Sequence, residues 1–216
     1  MDAAATTPGT CACKKVKPFR RAHGLFAIAF GTFLAVHLFV NASALEPARF
    51  GTNVAALRAL AAALPALEAV AIGLPLLGLV ACGLFLLYQA GLRYPAKGCN
   101  RGGKVRYFLQ RTSALVIVAF IAFHVATLST WGLNGGAFEP SRPYASVAAA
   151  LRSPAVKAFY LLAIVAVSYH LANGLFTGAG LWGLVRSDEG KRRWRWVCAA
   201  LGISLASLGS AAWYAF

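Results

Sequence analysis

The chain has 216 residues, 59% of them hydrophobic and only 12% charged, with a formal net charge of +15. Soluble domains carry roughly twice that charged fraction, so a large soluble catalytic module is excluded. The cations form short blocks without the basic–aromatic groove that nucleic acid requires, which excludes nucleic acid as a partner.

Residues 1–17 read as a disordered cytoplasmic tail and 18–216 as one membrane domain. Five segments reach the ~20 apolar residues that cross a bilayer: about 22–44, 67–91, 112–133, 155–180 and 196–215. The fold class is therefore all-α and integral to the membrane. The first segment exceeds the apolar core of a signal peptide and contains His37, so Ala42-Ser43-Ala44 is not read as a cleavage site. Between the first two spans, NVAALRALAAAL (53–64) predicts a short interfacial helix. Pro75 lies within the second span and is expected to kink it, which neighbouring helices tolerate. The loop YPAKGCNRGGK (94–104) is rich in turn formers, and GLNGGAFEPSRPY (134–144) follows the third span. In the fourth, Gly174 and Gly178 form GxxxG; in the fifth, Gly202, Ala206 and Ser210 recur every four residues. Small faces of this kind let helices approach closely in lipid. The fifth span carries no ionisable residue and reads as scaffold.

The basic residues alternate between the two sides. Lys14, Lys15, Lys17, Arg20 and Arg21 precede span one; Arg93, Lys97, Arg101, Lys104, Arg106 and Arg111 lie between spans two and three; Arg186, Lys191, Arg192, Arg193 and Arg195 lie between four and five. Arg49, Arg58, Arg142, Arg152 and Lys157 fall on the other side. This positive-inside pattern places the N-terminus in the cytoplasm. The basic face would meet anionic lipid headgroups or a cytoplasmic protein. The cysteines make no framework: Cys11 and Cys13 are in the tail, Cys99 in a loop, Cys82 and Cys198 in spans, all read as reduced and inert.

Three of the four histidines sit inside apolar runs: LAVHLFVN (34–41), IAFHVATL (121–128) and VSYHLANG (167–174). Ionisable groups in the membrane default to a functional reading, here a proton relay, a haem or metal ligand, or a structural ring. A relay recruits carboxylates, but Glu46, Glu68 and Glu139 all lie near the outer face. His37 and His124 both fall about 14–15 Å below the outer boundary, a matched depth that suits the two axial ligands of one haem b. The carbonyls of Phe33 and Phe120 are expected to take the second ring N–H, and Gly31 and Ala35 to flatten the face of span one. His170 lies deeper towards the cytoplasm and belongs to a second site. His23, beside Arg20 and Arg21, reads as a headgroup-level ring or as a contact for a haem propionate or a partner, as do Arg21 and Arg111.

Over residues 18–216 the pattern resembles the five-helix, single-chain cytochrome b anchor of succinate dehydrogenase and fumarate reductase, complex II. The specific pieces are RAHGLFAIAFGTFLAVHLFVN (21–41), LQRTSALVIVAFIAFHVATL (109–128) and FYLLAIVAVSYHLANGLFTGAGLWG (159–183). The resemblance implies His37 and His124 as ligands of an outer haem and His170 as one ligand of an inner haem. It also implies a second-span ligand, but PLLGLVACG (75–83) has Leu79 there, so one haem is secure and the second is left open. By the same resemblance Glu68, with Asn41 and Trp131 at similar depth, would serve a quinone, in this form menaquinone. Ser168 stands where some relatives use a glutamate for proton return.

The expected function is electron transfer between a cytoplasmic iron–sulfur subunit and quinone, in a bacterial cytoplasmic membrane. Flavoprotein and iron–sulfur partners would carry the succinate chemistry, and an oligomer of the complex is compatible with the sequence. The alternatives are the cytochrome b anchor of another quinone-linked enzyme, such as a hydrogenase or formate dehydrogenase, and a non-haem membrane scaffold or transporter.

Overall fold

The structure is a computed structural model that describes residues 9–63, 66, 69–90, 101–128 and 136–216. Among these, every regular element is a helix. Helix α1 runs Gly9–Ala42 and α2 Pro47–Ala63, joined by a 3-10 turn, Ser43–Leu45. A π turn, Ala69–Gly73, leads into α3, Leu74–Ala90. Then come α4 Arg101–Thr127, α5 Pro143–Ala150, α6 Pro154–Trp182 and α7 Asp188–Ala215. Five helical stretches are long and apolar enough to cross a membrane: Val16–Leu45, Ala69–Gln89, Lys104–Thr127, Pro154–Trp182 and Asp188–Ala215.

The helices outrun the apolar segments that predict them. Backbone 9–17, expected as disordered tail, continues α1. TCACKKVK (10–17) contains no glycine or proline, and extending a helix already nucleated costs little. Pro18 is carried inside α1 with the loss of one backbone hydrogen bond. Helix α7 begins at Asp188 because Ser187 caps it: the Gly190 amide donates to the Ser187 hydroxyl at 3.1 Å. Asp188 and Glu189 occupy the first turn, where the helix dipole favours acids. Gly183, at φ 73°, ends α6 in the left-handed conformation that glycine adopts without strain. The irregularity expected at Pro75 takes the form of the π turn just before it, where a wider turn accommodates a residue that cannot donate. The interfacial helix expected over 53–64 is α2, and it starts earlier, at Pro47.

Packing divides the bundle into close and wide contacts. Helix α1 packs on α3, α6 and α7, and α6 packs on α4 and α7; α1 and α4 make almost no direct backbone approach. The α1–α3 contact rests on Phe26, whose ring lies 2.5 Å from where a Cβ on Gly78 would be, and on Phe19 against Phe85 at 4.1 Å between centroids. The α6–α7 contact is backbone-close. A Cβ on Gly202 would sit 2.9 Å from Ala172 Cβ, and one on Gly209 2.6 Å from Ile164 Cγ2. The buried face of α7 is thus Cys198, Leu205, Gly209 and Ala212, with Gly202 in line, and not Gly202, Ala206 and Ser210. Strict four-residue steps drift about 40° round a helix each time, and Ser210 has rotated out to an exposed position. Gly174 faces Gln110 of α4, whereas a Cβ on Gly178 would meet nothing within 4 Å among the described residues, so the GxxxG pair is not one contact.

The hydrophobic core lies at the end of the bundle covered by α2 and α5. Val40, Ala44 and Phe50 pack with Val54, Tyr144 and Phe216 under α2. Leu128, Val147 and Leu151 pack with Phe138 and Tyr160 under α5. The Tyr144 hydroxyl donates to the Ala215 carbonyl at 2.9 Å, and Trp213 Nε1 to the Lys157 carbonyl at 2.8 Å, tying α7 to α5 and α6. Leu77, Trp196 and Ile203 are among the large apolar side chains left outside, as suits a surface solvated by lipid.

Candidate haem-ligand site

Where α1 and α4 stand apart, two imidazoles reach across. The His37 and His124 ring centroids are 5.9 Å apart, with planes at 82°. Two imidazoles on opposite sides of one metal, each with a metal–nitrogen bond of about 2 Å, place their centres roughly 6 Å apart. The interplanar angle is unconstrained because each ring turns about its own bond. The spacing therefore fits a bis-imidazole haem.

The rings are held from behind. His124 stacks on Phe120, 5.5 Å between centroids at 19°, and its Nδ1 lies 3.0 Å from the Tyr160 hydroxyl. In the tautomer that leaves Nε2 free for a metal, Nδ1–H donates to the Tyr160 oxygen. The expected partner, the Phe120 carbonyl, is not used: the α4 backbone ladder already engages carbonyls of that face, and Tyr160 reaches in from α6. Phe120 packs edge-on against Tyr160 and Phe159, which sets the tyrosine in place. For His37, no bond to the Phe33 carbonyl forms either; Phe33 meets the ring through its own, at 5.5 Å. Asn41 Nδ2 donates to the His37 carbonyl at 2.8 Å and stands 3.5 Å from His37 Nε2. Gly31, expected to flatten the haem face, receives Leu171 of α6 instead, 3.3 Å from its Cβ position.

A polar cluster lies further along α4 and α6. His170 Nδ1 is 3.1 Å from the Gln110 carbonyl and 3.1 Å from Ser113 Oγ. Gln110 Nε2 donates to the His170 carbonyl at 3.2 Å, and Asn173 Nδ2 donates to Gln110 Oε1 at 2.7 Å. His23 projects from α1 towards Gly83 of α3. Arg111 stacks over Tyr107 at 4.4 Å, and its Nε is buried without a hydrogen-bond partner among the described residues. Arg21 lines an open cleft of about 440 Å³ with Lys17, Pro18, Ala22 and Leu25 in the N-terminal half of α1.

The structure thus brings together His37 with His124, and Asn41 with His37. Glu68 and Trp131 lie outside the described residues, as do Cys99 and the side chains of Cys11 and Cys13. Cys82 and Cys198 are free thiols. Ser168 is 2% exposed, at the α6–α7 contact, and its hydroxyl has no partner among the described residues. Tyr160, Gln110, Ser113 and Asn173 were not foreseen. Their signal is polarity within apolar spans, the same signal that singles out the histidines.

Residues 102–207 match the family described as succinate dehydrogenase/fumarate reductase transmembrane subunit. The succinate dehydrogenase cytochrome b558 subunit of Bacillus subtilis (strain 168) is 27% identical over 205 residues, 92% of this chain and 96% of that protein. No solved structure gives a significant match. Family match, near-full-length similarity and five-span architecture agree: the chain is similar to succinate dehydrogenase and fumarate reductase transmembrane cytochrome b subunits.

Proposed function

We propose that the chain binds haem b between His37 and His124 and passes electrons between an iron–sulfur subunit and quinone. The observation that carries this reading is the His37–His124 pair, with ring centroids 5.9 Å apart across the wide contact between α1 and α4. Haem b, when bound, supplies a one-electron carrier within the membrane. The chain's own residues do the rest. His37 and His124 would hold the haem iron, Tyr160 accepts from His124 Nδ1–H and would make that ring a more basic ligand, and Phe33 and Phe120 pack against the two rings. The name of the Bacillus subtilis relative, a cytochrome b558 subunit, supports the same cofactor here.

The partners in this reading are a flavoprotein and an iron–sulfur protein, docked on the basic cytoplasmic face of a bacterial cytoplasmic membrane. That face has a structural focus: Arg106 of α4 and Arg195 of α7 converge on the Phe176 ring of α6, at 5.4 and 5.6 Å. Quinone, proposed as menaquinone, would sit towards the outer side, where Glu68 and Trp131 are the candidate contacts. Asn41 is committed to the His37 carbonyl by its hydrogen bond and so serves the ligand before it serves a quinone.

The test is purification of the complex under mild detergent. Co-purifying flavin and iron–sulfur subunits and a b-type reduced-minus-oxidised spectrum are expected. A colourless chain that captures neither partner would return the protein to the scaffold reading. A b-type spectrum with a different iron–sulfur partner would make it the anchor of another quinone-linked enzyme.

A further inference from the structure

Arg106 of α4 and Arg195 of α7 are exposed cations gathered on one ring, and no carboxylate answers them. Their guanidinium carbons lie 5.4 and 5.6 Å from the Phe176 centroid, so the two are within about 11 Å of each other. The ion pairs among the described residues are Arg142–Glu139, Lys191–Asp188 and Arg193–Glu189. The two acids that open α7 are thus engaged by Lys191 and Arg193, and Arg106 and Arg195 have no acid partner among the described residues. The backbone beneath them is fixed. The Tyr169 hydroxyl donates to the Arg106 carbonyl at 3.4 Å, and Trp194 Nε1 donates to the Leu175 carbonyl at 3.2 Å. Both helices are therefore pinned to α6 where Phe176 stands. Like charges held this close repel, and an anion between them reverses the sign of the interaction.

Shape and depth say which anion. Each guanidinium offers a planar fork of N–H groups that matches phosphate oxygens. A phosphate held between two such forks, with N–H···O distances of about 2.8 Å, separates the guanidinium carbons by roughly 8 Å. Helices α4, α6 and α7 have their far ends at Thr127, Pro154 and Ala215. Counted from there, Arg106, Phe176 and Arg195 all lie about 30–33 Å along their helices. That is the thickness of the hydrocarbon core, about 30 Å, so the cluster stands at headgroup level. Trp196, 73% exposed beside Arg195, suits the same interface. Helices α6 and α7 extend about 9–11 Å past this level, to Trp182 and from Asp188. A protein docked on the basic face would rest on those ends, further from the membrane than the two arginines.

We propose that Arg106, Arg195 and Phe176 form a site for the phosphate of an anionic phospholipid in the leaflet on the basic side. A zwitterionic lipid brings the same phosphate with a cation attached, which the two arginines repel, so the site selects net negative charge. The cluster is about 27 Å along α4 from His124 and owes nothing to a haem.

The test takes the complex purified in mild detergent and stripped of lipid, and titrates it with phosphatidylglycerol, phosphatidylcholine or inorganic phosphate. Native mass spectrometry counts what stays bound. One phosphatidylglycerol is expected to bind more tightly than any phosphatidylcholine, and millimolar inorganic phosphate should not displace it. Arg106→Gln and Arg195→Gln should each weaken it about fivefold. Arg192→Gln, an exposed cation outside the cluster, should leave it unchanged. Equal binding of the two lipids overturns the site, as does equal weakening by Arg192→Gln, which would mean diffuse surface charge. Displacement by inorganic phosphate would make it a site for a free anion and overturns the lipid. Glutamine variants that bind lipid normally but lose the iron–sulfur subunit would give the arginines to the partner protein instead. Should a glutamine variant fail to accumulate, Arg195→Lys keeps the charge without the planar fork: weaker phosphatidylglycerol binding supports the site, and unchanged binding overturns it.

Discussion

The contacts α6–α7 and α1–α4 are opposite solutions to one problem, how two helices sit beside each other in lipid. Between α6 and α7 the residues are small, and Gly202 and Gly209 receive Ala172 and Ile164 so closely that no Cβ would fit without movement. Between α1 and α4 the facing residues are large and flat, Phe33, His37, Phe120 and His124, and the backbones stay apart. In lipid neither contact gains from the hydrophobic effect, so the first is held by dispersion. In the reading proposed above, the second is completed by a haem between the two rings.

The largest predicted effect removes that site. His37→Ala and His124→Ala should each abolish the haem held between α1 and α4, read as loss of its Soret and α-band absorption per mole of chain. The α6–α7 contact should be indifferent to either change. If both variants keep a wild-type outer haem, the pairing is wrong and the wide contact needs another explanation.

Next in size is the converse. Gly209→Val forces branched carbons into Ile164 Cγ2, already 2.6 Å from the Cβ position alone. Overpacking of this kind costs about 1–3 kcal/mol or more. Lower thermal stability in detergent is expected, with the visible spectrum of surviving protein unchanged. Gly178→Val, where a Cβ would meet nothing described within 4 Å, is the control. Equal losses for both would mean that α6 and α7 are not packed as described.

Much of this division was legible beforehand, for a physical reason. Apolar runs of bilayer length and histidines stranded inside them are one-dimensional signals, and the depth of His37 and His124 follows from counting along each helix. What needed three dimensions was helix rotation and choice of neighbour. The stripe Gly202, Ala206, Ser210 missed because regular steps of four drift off the face that Leu205, Gly209 and Ala212 share. Gly31 looked like part of the haem face and in fact seats Leu171. Tyr160 lies 36 positions from His124, and no periodicity within either span links them. His23 looked superficial because its neighbours in sequence are arginines, while its neighbour in space is Gly83. The ends of α1 and α7 were set short because hydropathy marks the hydrocarbon, and caps mark the helix.

The smallest effect asks how finely the wide contact is tuned. Tyr160→Phe deletes one oxygen and leaves the ring that packs on Phe120. The His124 Nδ1–H loses its acceptor, at 3.0 Å in the native protein. A hydrogen bond of this kind contributes about 0.5–1.5 kcal/mol, and it makes the ring a more basic ligand, which favours the oxidised, more positively charged iron. Its loss should raise the midpoint potential of that haem by about 20–65 mV, taking 59 mV per tenfold for one electron. Haem content should stay near wild type, because the metal bond is made by the other nitrogen. A structural role for Tyr160 would instead lower haem content or stability and leave the potential of the remaining haem where it was. A redox titration of the variant against wild type separates these outcomes. An unchanged potential with full haem would mean that the hydroxyl does not bear on the ligand, and that only packing and the imidazoles define the site.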